Sequence, residues 1–271
     1  MDAASRTGRF VGSYCESPLD NLVDTLSLGQ ARAALDQVGS GDGGELKPQA
    51  NGSPKFCAAY SSAALAVNTF AAWSGREPWL ALIGRSVFTQ LDFEVKFPIG
   101  LAGRSPNLDV VASAPGTIVA IESKCVEYLG EHDATFQPSY DAAVEQLADA
   151  SWTTLFRDLT AQPALFGRLG VGQLVRHYLG LRRAVVSGSV SSATLLYLFW
   201  EPNDAARLDD LIAHRADVVR LARRVDDPTV SFAAMSYPEL WNQWTVAGAP
   251  EWLVAHVEAL RERYAVTLTQ Q

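Results

Sequence analysis

Hydrophobic and polar positions change period several times along the chain. Residues Leu22 to Val38 are apolar at helical spacing, and Ser61 opens an Ala-rich helical run that reaches Trp73. Between Phe88 and Ile99 the pattern alternates: Phe93, Val95 and Phe97 fall on one face, Glu94 and Lys96 on the other. That predicts a strand, ended by Pro98 and Gly100. Leu108–Ala114 and Thr117–Tyr128 read as two further strands joined by Pro115-Gly116. Proline presets φ there and glycine accepts a positive φ, so the pair predicts a tight turn. Helices follow over Tyr140–Asp158 and Gly172–Ala184, then Ala193–Trp200, an unbroken apolar run of strand length. Such a run predicts a central strand covered on both faces. An amphipathic helix over Asp204–Arg224, a short strand over Thr229–Met235 and two helices near Pro238–Thr245 and Pro250–Tyr264 complete the series.

Three consecutive strands make a meander, and later strands arrive through helical crossovers. The expected fold class is therefore α/β, a mixed sheet with helices on both faces. Residues 1–55 are expected to form an N-terminal arm with one helix and a Gly-rich loop, Gly39 to Gly44, and residues 56–271 a single domain. The loop lacks the Gly-Lys-Ser/Thr ending of a phosphate loop and no strand precedes it, so it reads as a linker.

The chain has 271 residues, 48% of them hydrophobic, which supports a large core and excludes wholesale disorder. No apolar run is long enough for a membrane span, and the first residues lack the apolar stretch of a secretory signal. Three cysteines, odd in number and far apart, argue against a disulfide framework and for a reducing, cytoplasmic setting. The net charge of −8 disfavours nucleic-acid binding through the whole surface but leaves room for a local basic groove. Arg157, Arg168, Arg176, Arg182 and Arg183 are the candidates for such a groove; Arg220, Arg223 and Arg224 suit the C-terminal end of a helix dipole.

The two-residue turn has a chemical consequence. It sets Ala114 opposite Thr117 and, by the same register, Asp109 opposite Glu122. Opposed residues have Cβ atoms about 5 Å apart and share a face. Lys124, two residues beyond Glu122, shares that face too. Opposed carboxylates repel, and a divalent cation between them removes the penalty; oxygen ligands suit Mg²⁺ or Mn²⁺ rather than zinc. The plain alternative is a solvent-facing hairpin with one salt bridge.

Pro106…Asp109…Glu122-Ser123-Lys124 resembles the signature of the PD-(D/E)XK nuclease superfamily. The αβββαβ order between Ser61 and Trp200 resembles that superfamily's restriction-endonuclease-like core, with the later elements a helical extension. In detail the chain resembles a bacterial subgroup of it. Asn107 and Leu108 separate Pro106 from Asp109, a departure that loosens the motif. The resemblance implies metal-dependent phosphodiester hydrolysis, in DNA ahead of RNA. It implies that Asp109 and Glu122 ligate Mg²⁺ (or Mn²⁺) and that Lys124 positions the attacking water. An upstream glutamate is often added: Glu94 is the candidate, with Glu77 behind it, and the alternative for Glu94 is an exposed strand residue beside Lys96. A glutamine motif on a following helix finds a counterpart in Gln173 and His177, which share a helix face at i and i+4; Gln146 competes for that role. A homodimer is expected if both strands of a duplex are cut. The competing reading is a catalytically silent module of the same fold that binds nucleic acid or a protein partner.

Overall fold

The computed structural model describes residues 10–41, 43–101, 105–130 and 132–268. A small hairpin, β1 (Phe10–Val11) and β2 (Tyr14–Cys15), comes first, followed by α1 (Leu28–Ser40) and α2 (Ser62–Phe70). The meander is β3 (Gln90–Lys96), β4 (Asn107–Ala114) and β5 (Thr117–Lys124). Helices α3 (Ser139–Leu147), α4 (Ala150–Ala161) and α5 (Val171–Val186) lead to β6 (Ser192–Phe199). Helix α6 (Asp209–Arg224) then leads to β7 (Val230–Ser236), and α7 (Tyr237–Trp244) and α8 (Glu251–Tyr264) end the fold. Among the described residues no helix is long and apolar enough to cross a membrane.

The five long strands form one mixed sheet in the order β3-β4-β5-β6-β7. The first three are antiparallel, whereas β5, β6 and β7 run parallel. Helices α1, α2, α7 and α8 cover one face and α3 to α6 the other, each over its own apolar cluster. Strand β6 shows why its sequence is apolar throughout: Leu196 and Leu198 enter the first cluster, Leu195, Tyr197 and Phe199 the second. Local capping explains several boundaries. Ser61 accepts the Ala64 N–H to start α2, and Ser236 and Glu239 form a capping box on α7.

Four local expectations are corrected. The helix expected from Leu22 starts at Leu28, because Ser27 caps it through Gln30; Leu22, Val23 and Leu26 enter the first cluster as extended chain. The helix expected over Tyr140–Asp158 is two helices, broken where Asp149 caps α4 and its backbone N–H donates to the Tyr178 hydroxyl. The short β1–β2 hairpin carries no periodic signal and is not anticipated. The fourth correction concerns β3. Leu91 and Phe93 pack in the first cluster, but Val95 and Phe97 pack against the second. Glu94, between them, has φ of +54°. A left-handed residue breaks the alternation of a strand, so the chain beyond it presents the opposite face.

The N-terminal segment is tied to the sheet. Ala31, Ala34 and Val38 of α1 pack in the first cluster, and Gln37 Oε1 accepts the Phe93 N–H at 2.7 Å. Cys15, Cys57 and Cys125 are free thiols, all buried. Tyr14 bridges Ala58 in antiparallel fashion, so Cys15 lies across from Cys57, and its Sγ is 3.3 Å from the Cys57 carbonyl oxygen. Burial pushes the Cys15 thiol up to about 12 and raises those of Cys57 and Cys125.

Candidate active site

The β4–β5 ladder has the register expected from the Pro115-Gly116 turn, from Ala114↔Thr117 to Val110↔Ile121. Its continuation would set Asp109 opposite Glu122, but pairing stops there. Strand β4 stays with β3, through Val95↔Leu108 and Lys96↔Asn107. Asp109 Oδ2 accepts the Ser123 N–H at 2.7 Å. Where the strands part, a cleft of about 370 Å³ opens, lined among others by Glu94, Asn107, Asp109, Glu122, Lys124 and Gln173.

Glu122 is 2% exposed, and both its oxygens face cationic or ring nitrogens. Oε1 is 2.6 Å from Lys124 Nζ, and Oε2 is 2.8 Å from Nε2 of His177, itself buried on α5. Gln173, one helical turn before His177, reaches the cleft itself. Asn107 Nδ2 donates to Glu94 Oε2 at 2.9 Å. Behind the strand, Ser123 Oγ donates to the Ser62 carbonyl and lies 2.6 Å from the Tyr237 hydroxyl, which fastens β5 to α2 and α7.

The charges divide unequally. Burial raises Asp109 well above the usual carboxylate range, with the charges of Glu122 and Glu94 adding to it and Lys124 opposing. Burial also raises Glu94, against the Asn107 hydrogen bond. Burial would raise Glu122 too, but Lys124 and His177 outweigh it and hold that carboxyl at about 2. Lys124, which burial alone would depress, is held up by Glu122, Glu127 and Asp109. Glu122 is thus an anion and Lys124 an ammonium, whereas Asp109 and Glu94 lean toward the proton.

Among the described residues, no three His, Cys, Asp or Glu side chains converge as a ready metal cage. Magnesium does not require one, since one or two carboxylates suffice when water and substrate phosphate complete the shell. Asp109, hydrogen-bonded to the Ser123 N–H and opposed by neighbouring carboxylates, has the environment that a divalent cation would relieve. Asp109 and Glu122 are the oxygen donors that could hold it.

Asp109, Glu122, Lys124, Glu94 and Gln173 line one cleft, and His177 stands directly behind Glu122. Glu77 instead accepts the Gly75 N–H at 2.8 Å, and Gln146 is exposed on α3. Of the five arginines considered for a groove, Arg176 reaches a neighbouring hollow. Arg168, Arg182 and Arg183 are engaged in structural contacts to Leu129, Leu147 and Ile99 carbonyls. Sequence reasoning misses Glu45, Lys55 and Glu127, which also line the cleft. The Gly-rich loop that reads as a linker also borders the site, at Gly41 and Gly43. A Cβ on Gly41 would lie 2.9 Å from Glu94 Cβ, so the loop is packed against the site. The only signal was the glycines themselves, which permit that approach.

A model of the family described as Restriction Endonuclease associating with ARP matches residues 40–265. Compared with curated proteins, the chain has no significant match, and compared with solved structures it has none either.

Proposed function

The chain belongs to the family of restriction endonucleases associating with ARP, and from that membership we propose that it is a metal-dependent nuclease of the PD-(D/E)XK type, acting on DNA ahead of RNA. The observation that carries this reading is the gathering of Asp109, Glu122 and Lys124 in one cleft where β4 and β5 part. The order α2, β3, β4, β5, helices, β6 supports the reading, since an αβββαβ order is what that superfamily's core would require.

Asp109 and Glu122 would hold Mg²⁺ or Mn²⁺, with Glu94 as a further carboxylate. When bound, the ion supplies a Lewis acid for the scissile phosphate and its attacking water. Lys124 is held as an ammonium, so it orients water and stabilises phosphate charge rather than accepting a proton. One of its three protons is engaged by Glu122, and the side chain lines the cleft. His177 positions the Glu122 carboxylate from behind, and Gln173 faces the substrate. The family's description names association with ARP, and a homodimer is proposed for cutting both strands of a duplex.

A second reading, a silent module that binds nucleic acid or a protein, is favoured by one observation: the Glu122 oxygens are already faced by Lys124 and His177. A cleavage assay separates the two. Supercoiled plasmid, linear duplex, single-stranded DNA and RNA are each incubated with Mg²⁺, Mn²⁺ or EDTA, beside the Lys124→Ala variant. Metal-dependent cleavage that Lys124→Ala loses supports the nuclease. Cleavage by Lys124→Ala at the wild-type rate refutes the role of Lys124, and no cleavage on any substrate favours the silent module.

A further inference from the structure

The cleft is flanked by two further hollows that share lining residues with it. A second, of about 360 Å³, shares Lys124, Glu127 and Gln173 with it and continues to His132 and Arg176. A third, of about 350 Å³, shares Glu45, Lys55, Ser62 and Glu127 and continues to Tyr14 and Tyr60. The three hollows therefore lie side by side, with chemically different groups in the two outer ones.

In one outer hollow the Arg176 guanidinium is fixed. It donates to the Thr135 carbonyl at 2.6 Å and sits 5.6 Å from the centre of the Phe136 ring. A fixed guanidinium suits phosphate. In the other Tyr14 and Tyr60 meet edge to face, ring centres 6.4 Å apart, with hydroxyl oxygens 3.2 Å apart. Both rings are half-buried and border the hollow, an arrangement that suits stacking of an unpaired base. Between them, Glu45 and Glu127 line the cleft, the former 3.7 Å from Lys55.

We propose, on the premise that the middle hollow is the nuclease site, that the three hollows together form a channel that takes a single unpaired strand of DNA, with one phosphate at Arg176 and one base against the Tyr14–Tyr60 pair. The substrate class is then single-stranded DNA, and a duplex is engaged where it opens.

Binding of fluorescently labelled oligonucleotides to the full chain tests this, in Ca²⁺ to keep the strand whole. A single strand should bind about tenfold or more tightly than a blunt hairpin duplex of the same length. Tyr60→Ala should weaken single-strand binding about 5- to 100-fold. Tyr60→Phe, which keeps the ring and loses the hydroxyl contact, should bind as wild type. In the unaltered protein, single abasic substitutions stepped along the oligonucleotide should weaken binding at one position. Equal binding of duplex and single strand, or no effect of Tyr60→Ala and of every abasic position, would overturn the proposal. The two readings fail separately. Lys124-dependent cleavage without single-strand preference removes only the channel, and Tyr60-dependent single-strand binding without cleavage removes only the nuclease.

Discussion

The Asp109 carboxylate takes the Ser123 N–H at 2.7 Å just beyond the last rung, Val110↔Ile121, that joins β4 to β5. A side chain thereby stands in for the sheet where the sheet divides. The same carboxylate is crowded by Glu122 and Glu94. It therefore holds the fold through one oxygen and strains it through its charge.

Asp109→Asn keeps the accepting oxygen and removes a carboxyl whose ionisation burial and the neighbouring carboxylates oppose. In EDTA the variant should be more stable than wild type, by about 0.5–2 kcal/mol in urea unfolding. Cleavage should fall about 100-fold or more. Mg²⁺ should raise the thermal midpoint of wild type and leave that of the variant unmoved. A variant less stable than wild type in EDTA contradicts this account.

Glu94 is a non-glycine residue at φ +54° in a strand. In an ordinary strand glycine is worse than alanine. Here the order should invert: Glu94→Gly should be more stable than Glu94→Ala by about 1 kcal/mol. Both lose the carboxylate, so both should lose activity alike. Denaturant midpoints with Ala above Gly would show that the position carries no strain.

Stability should fall on mild acidification because two histidines are buried neutral. His214, stacked 4.0 Å from Tyr128 with Nε2 2.9 Å from the Tyr197 hydroxyl, is lowered to about 3 by burial, with Arg215 adding to it. His256, whose Nδ1 is 2.7 Å from Thr25 Oγ1, is lowered to about 4, again chiefly by burial. The unfolded chain protonates each near pH 6.5, so below that it binds more protons than the native state. Each histidine removes up to about 1.4 kcal/mol per pH unit, from near 6.5 down to its folded value. Urea midpoints at pH 7.5 and 5 measure this, and His256→Gln should shrink the difference. An unchanged midpoint between the two pH values contradicts it.

Gly180 of α5 faces the end of β3 so closely that a Cβ would lie 2.4 Å from the Phe97 carbonyl oxygen. Helix propensity favours alanine there by about 1 kcal/mol. The clash is with backbone, which cannot turn aside, so Gly180→Ala should be destabilising by about 1–3 kcal/mol net. Because α5 also carries Gln173 and His177, cleavage should drop in the same variant. A midpoint at or above wild type would mean that α5 can move without harm.

The legible parts of the fold are those set by local chemistry. Pro115-Gly116 gives the register of the hairpin that carries Asp109, Glu122 and Lys124, and the apolar run to Phe199 marks the doubly covered strand. The face reversal at Glu94 was hidden, because alternation assumes ordinary strand dihedrals and glutamate gives no warning of a positive φ. The break between α3 and α4 depends on Asp149 and on a distant tyrosine, Tyr178. In the candidate site, the spacing of Gln173 and His177 told only that they share a helix face. That His177 meets Glu122 depends on how α5 crosses the sheet, which no local pattern records. Glu45, Lys55 and Glu127 arrive from loops, where sequence carries no period at all.

The cysteine positions lend themselves to a different use. Cys15 and Cys57 face each other under the N-terminal hairpin, and Cys125 follows β5 at the edge of the site. All three are buried and protonated at neutral pH, so none reacts as a thiolate while its surroundings stay closed. Their labelling rates with a small thiol reagent therefore time the opening of two separate regions. Cys15 and Cys57 report on the hairpin beside Tyr14, and Cys125 reports on the strand that bears Glu122 and Lys124. The molecule carries its own pair of clocks, one beneath the N-terminal hairpin and one at the end of β5.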